Sequence, residues 1–397
     1  MSESNNIFKY ATKELTQDAF LCWSINWINE GENGPLYEYA KAILDLFLGV
    51  DKKEKYYDVQ VYRQYEKIDV LVMFKDDNGS SHVLIIEDKT NTSEHGDQLK
   101  RYTKKLEDGL NYDESLKAYI NAKIHLAYVK TGIMYDVDVR MVEQAVVVDL
   151  DMLLKVIKPI AELDISEILI YYYKYLQSIK DKRINIEEEI KNGNYEDSLS
   201  DRYGQFYFLS NIFSARSGYK EIGELYDGLE KNGIVYTDHI YAGTNRGGSP
   251  WIEYAFWKDK YPTNYTTQYV NEFHSLFWRV DCKWDKNEYR NRYYIALRHY
   301  DENAHSSKKY LNERKKFVYR KLRALADKYY KENPSLYEKI GVRENYKESD
   351  LLFIYIENIK DMGFEGIKKF LNDITEDFVK ECDNLYDGME EALKDYM

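Results

Sequence analysis

The sequence predicts a mixed α/β chain, with a sheet flanked by helices in its first part and a second α+β domain after it. Three observations carry that expectation. Residues 16–48 show helical spacing of large apolar residues, and two apolar, strand-like runs at 68–72 and 83–89 are joined by a turn-rich connection. Two further short runs, 122–129 and 145–148, have the β-branched composition of buried strands. At 397 residues the chain is long enough for two hydrophobic cores.

Taken in order, Thr16-Gln17-Asp18 precedes an apolar stripe of Phe20, Trp23 and Trp27, which predicts a helix capped by Thr16. A second helix is expected over Leu36–Leu48, with Gly49 as its stop. Val59–Tyr65 reads as a strand leading into Ile68-Asp69-Val70-Leu71-Val72. The connection Lys75-Asp76-Asp77-Asn78-Gly79-Ser80-Ser81 would fold that strand back against Val83–Lys89. A helix follows over about 97–106, with Gln98 and Tyr102 four residues apart on one face. The two short strands come next, then a helix over 152–157 capped by Asp149 or Asp151. This order suits a mixed sheet between helices.

A boundary is expected in the polar stretch 180–201, dividing a domain of residues 1–180 from one of residues 200–397. In the second domain, Trp251–Trp257 and Phe277–Cys282 read as strands, and residues 302–333 and 346–397 as largely helical.

Composition narrows the function. No run approaches the roughly 18 apolar residues of a membrane helix, and the first residues lack the pattern of a signal peptide. Cys22, Cys282 and Cys382 are odd in number and far apart, which argues against a disulfide framework or a cysteine zinc site. A cytoplasmic protein without a membrane partner is expected. The net charge of −13 weighs against a generally basic nucleic-acid surface, although local patches do the binding. The 40 tyrosines read first as core-edge and surface residues, and second as base-stacking platforms.

Chemistry concentrates at the ends of the central strands. Strand side chains alternate, so Glu87 and Lys89 share one face and Asp88 takes the other. The hairpin would bring Asp69 beside them. Asp69 and Glu87 are then candidate ligands for Mg2+ or Mn2+, with the backbone carbonyl of Asp88 as a third candidate. Lys89 would orient or help deprotonate an attacking water and offset charge on a phosphate. The bland alternative is a structural ion pair at a sheet edge. Glu189-Ile190-Lys191 shows that the triplet alone is uninformative, since there it stands in a helix-like, charged context.

The combination of Asp69, Glu87-Asp88-Lys89 and Gln98-Leu99-Lys100-Arg101-Tyr102 resembles the PD-(D/E)XK nuclease superfamily. Residues 14–23 resemble the first-helix segment of a bacterial subgroup, and the likeness spans about residues 10–160. Ile68 stands where the family name has proline. The resemblance implies a restriction-endonuclease-like first domain and metal-dependent cleavage of phosphodiester bonds, with DNA favoured as substrate. Its bacterial members are often involved in defence against phage. It further implies that Gln98 and Tyr102 support the site or contact DNA, and that Glu14 joins the metal shell. For Glu14 the helix dipole offers an equal explanation. Gln64, in the strand run before Asp69, is a weaker candidate for lining the site. A nuclease-derived module that binds nucleic acid or a protein without cutting is the second reading, and a second copy or another protein remains open as partner.

Elsewhere, the glycine-rich segment 243–249 lacks the Gly-Lys-Ser/Thr ending of a nucleotide-binding loop and reads as a turn, with Arg246 a candidate phosphate contact. The seven histidines show no zinc-binding spacing. Residues 308–323 hold eight basic residues against one acidic. On a helix, Lys309, Lys316, Arg320 and Arg323 form a basic stripe opposite Leu311, Val318, Leu322 and Leu325, the best candidate for a nucleic-acid track. A face paired with acidic neighbours is the commoner meaning of such a run.

Overall fold

Two compact units, residues 1–182 and 183–397, divide the chain in the computed structural model. It describes residues 6–11, 14–51, 55–90, 98–109, 119, 121–135, 142, 144–213, 239–244, 250–260 and 273–396. The division falls inside a continuous helix, Glu167–Lys191, within the polar stretch 180–201. The charged run there is helical because its charges pair along the helix, as Lys191 does with Glu187.

The first unit opens with α1 (Glu14–Asn26) and α2 (Tyr37–Leu48). α1 begins two residues before the expected Thr16 cap. Glu14 occupies its first turn, where the positive helix end favours an acid. Gly49 ends α2 with φ +65°, and a Cβ there would stand 2.9 Å from Val146 Cγ2, so both conformation and space require glycine.

The sheet follows as β1 (Tyr57–Tyr65), β2 (Ile68–Lys75), β3 (Ser81–Lys89), β4 (Lys123–Lys130) and β5 (Val146–Asp149), adjacent in that order. β1, β2 and β3 run antiparallel, whereas β3–β4 and β4–β5 are parallel. The β2–β3 hairpin closes through Asp76, whose Oδ1 accepts from the Asn78 and Ser80 amides at 2.9 and 2.8 Å. The carboxylate of Asp149 accepts from Met152 N at 2.9 Å and caps the next helix, α4 (Leu150–Ala161).

Alternation along β2 and β3 builds a core on each face of the sheet. Val70, Val72, Leu84 and Ile86 pack with α1, α2 and α4. Leu71, Met73, Val83 and Ile85 pack with Leu99, Tyr102 and Leu106 of α3 (Gln98–Gly109). The sheet is thus a mixed layer between helices, the α/β class expected.

The second unit holds an all-antiparallel sheet in the order β10-β9-β8-β7-β6. Its strands are β6 (His239–Thr244), β7 (Pro250–Lys260), β8 (Phe273–Asp285), β9 (Arg290–Asp301) and β10 (Glu348–Tyr355). β10 falls where helix was expected. Leu351-Leu352-Phe353-Ile354-Tyr355 is a short apolar run whose period cannot separate the two states, and pairing with β9 decides it. Helices Lys309–Glu332 and Gly363–Asp383 pack on this unit's core, where Trp278 donates to Thr375 Oγ1 at 2.9 Å.

His299, fully buried beside Tyr319, has its pKa pushed down to about 3 by burial, with the Lys315 charge adding to the effect. An unfolded histidine titrates near 6.5. The folded value is the lower, so His299 takes up a proton on unfolding. Its contribution to stability is complete above pH 6.5 and is lost progressively as pH falls toward 3. Urea unfolding at pH 7 and pH 5 is expected to show a smaller acid loss in His299→Phe than in wild type. Equal losses would show that His299 does not drive the acid limb.

Candidate active site

At the carboxyl end of β3, buried charges replace the apolar run. Glu87 and Asp88 are fully buried and Lys89 is 7% exposed. Asp69 lies on β2, one step beyond the Val70–Ile86 pair, so the hairpin places it across from Glu87. The Lys89 ammonium contacts Glu87 Oε1, lies 3.6 Å from Asp69 Oδ2, and donates to the Asp88 carbonyl at 3.1 Å. Asp69 Oδ2 accepts from the Asp88 amide at 3.0 Å, and Asp69 Oδ1 from Gln64 Nε2 at 2.9 Å.

The Asp88 side chain points to the opposite face, toward α1. There Gln17 Nε2 donates to its Oδ1 at 2.6 Å, and Thr131 Oγ1 donates to Gln17 Oε1 at 3.1 Å. Asp18, also on α1 and buried, accepts from Gln64 Nε2 at 2.9 Å. Glu14 Oε1 accepts from the Thr90 amide at 3.2 Å, just past Lys89. Gln17 and Asp18 were missed from sequence. Their signal was helical spacing, since residues three and four after Glu14 share its face.

Electrostatically the site is short of positive charge. Burial and then Asp69 push Glu87 up to about 7, against the opposing pull of Lys89. Burial and Asp69 likewise raise Asp18 to about 6. Asp88 stands well above the ordinary carboxylate range through burial and the adjacent Asp18. Burial disfavours the Lys89 ammonium, but Glu87, Asp69 and Glu14 more than offset this and hold its pKa above the usual lysine value. Asp18 Oδ1, Glu87 Oε2 and Asp88 Oδ2 are buried oxygens that no N–H or hydroxyl reaches; the acids face one another instead, Asp18 against Asp88 and Asp69 against Glu87. Among the described residues, no three His, Cys, Asp or Glu side chains stand together in metal-holding geometry. Lys89 itself sits between the two nearest carboxylates.

Tyr102 is buried with Leu99 and Leu106 of α3, on the face of the sheet that Leu71 and Ile85 share with Asp69 and Glu87. Gln98 opens α3, and its side chain lies outside the described residues, as do His95 and Arg246.

The basic stripe on Lys309–Glu332 does not form an open track. Arg320 makes a two-pronged pair with Glu344 at 2.8 Å for each bond, and Lys316 bonds Glu313 at 2.9 Å. Arg323 is buried, bonding Asp327 and the Ile340 carbonyl, while Lys309 lies over the Tyr396 ring. Glu313 and Asp327 on the same helix and Glu344, 24 positions beyond Arg320, pair with the charge that composition left apparently free. Among the described residues no helix is long and apolar enough to cross a membrane.

No protein-family model matches this chain, and neither does any curated protein or solved structure.

Proposed function

We propose that the first unit is a metal-dependent nuclease of PD-(D/E)XK type acting on DNA. The observation that carries this reading is the meeting of Asp69, Glu87 and Lys89 on one face at the end of the β2–β3 hairpin, with Glu14 reaching the same strand end. The donor set fits a hard divalent cation. Its ligands would be carboxylate oxygens, and Glu87 and Asp18 are pushed up by burial and then by the neighbouring Asp69, a repulsion that a cation would relieve.

Asp69 and Glu87 would hold Mg2+ or Mn2+, with Glu14 and the Asp88 carbonyl as further oxygens. The cation would supply Lewis-acid charge to the scissile phosphate. Lys89, held protonated by its acidic neighbours, orients the attacking water and offsets charge on the phosphate rather than removing a proton itself. The Asp88 amide holds the Asp69 carboxylate in orientation.

The test is a cleavage panel of circular and linear duplex DNA, single-stranded DNA and RNA, with magnesium, manganese or EDTA. Wild type is expected to cut DNA with either metal, and both EDTA and Asp69→Asn to abolish cutting. Cutting of RNA alone would reassign the substrate. No cutting, with DNA bound equally well in EDTA, would favour a non-catalytic nucleic-acid-binding module instead.

A further inference from the structure

We infer that Gln64 is a positioning residue for the metal-binding carboxylates, tying helix α1 to Asp69; this rests on the nuclease reading above. Its side-chain nitrogen lies 2.9 Å from both Asp18 Oδ2 and Asp69 Oδ1, so one amide bridges two carboxylates that otherwise repel. The backbone makes this reach by an uncommon route. Gln64 has φ +56°, the left-handed region that non-glycine residues rarely adopt within a strand. It lies between the Arg63–Val70 and Tyr65–Ile68 pairs, with Tyr65 separating it from a two-residue turn in which Glu66 and Lys67 also have positive φ. The turn accounts for Glu66 and Lys67. It does not require Gln64 to leave the strand conformation, and strain held outside the turn points to function.

The consequence is a division of labour around Asp69. Gln64 holds Oδ1 and the Asp88 amide holds Oδ2, leaving each oxygen a lone pair for a cation. Through Asp18 the same amide sets the position of α1, the helix that carries Glu14. Gln64 is solvent-exposed, so replacing it removes no core packing.

Two variants test this. Gln64→Gly relieves the backbone and deletes the amide. Gln64→Asn tolerates the left-handed conformation but is one methylene too short to span both carboxylates. Calorimetric titration with Mn2+ is expected to show affinity lowered about 10–100-fold in both. Melting temperature without metal should stay within about 3 °C of wild type or rise. Saturating Mn2+ should restore most of the cleavage rate.

Unchanged Mn2+ affinity in both variants would overturn the inference and leave the nuclease reading standing. A fall in melting temperature well beyond that margin would mark Gln64 as structural and overturn it equally. Wild type that neither binds Mn2+ nor cuts would bring down the nuclease reading itself, and this inference with it.

Discussion

Lys89→Ala is expected to lower cleavage about 10²–10³-fold, the usual effect of deleting one pre-placed charge that acts on the transition state. It is also expected to destabilise the metal-free protein, because Glu87 then keeps a buried carboxylate without its nearest cation. Removing one partner of a buried pair costs about 3–5 kcal/mol. The lower end applies here, since Glu87 can escape by taking up a proton. Without Lys89 its folded pKa rises further above that of an unfolded glutamate. Stability in EDTA should therefore be nearer to wild type at pH 6 and fall as pH rises toward 8.

The double variant Lys89→Ala/Glu87→Gln separates the two effects. It should recover most of the lost stability, measured by urea unfolding in EDTA, and none of the cleavage. Full cleavage by folded Lys89→Ala would remove Lys89 from the mechanism.

Arg298→Met should give the largest loss of stability in the second unit. Arg298 is 8% exposed and bonds Asp350 through Nε at 2.8 Å, with Asp281 and Glu348 on its other nitrogens. Glu253 belongs to the same group. Burial first, and then Glu348, push it up to about 8 even with Arg279 and Arg298 opposing. Methionine fills much of the volume but removes the cation that Asp281, Glu348 and Asp350 share, and among the described residues Arg279 pairs only with Asp281 and Glu348. A loss of about 3–5 kcal/mol is expected at pH 7.

That deficit should shrink on acidification. Without Arg298, one of the two cations opposing the rise of Glu253 is gone, so Glu253 is held protonated to a higher pH and the deficit grows as pH rises through that range. Unfolding curves at pH 9 and pH 6 would show it. A loss below about 1 kcal/mol, flat with pH, would place these ion pairs among the solvent-screened kind.

Much of the first unit was legible because strand chemistry is local. A period of two along Val83–Lys89 puts Glu87 and Lys89 on one face whatever surrounds them, and the turn residues 76–80 dictate the hairpin that delivers Asp69. Gly49 announced the end of α2 by the same local logic. Asp18 and Gln17 were illegible for the opposite reason. Within α1 they are ordinary polar residues, and only the docking of that helix against β1 and β3 buries them against Gln64 and Asp88.

The pairing of the basic run at residues 308–323 was equally hidden from the sequence. Composition records charge but not its partner, and Glu344 meets Arg320 across 24 positions of chain. β10 was decided by its neighbour β9, because five apolar residues satisfy either period. By itself, then, the sequence determined which residues face together along a strand, where turns close, and that Asp69, Glu87 and Lys89 could meet. The tertiary structure alone decided the strained Gln64 bridge, the buried acids of α1 and the neutralised basic stripe. Periodicity acts within a few residues, whereas burial and charge pairing depend on what the fold brings near.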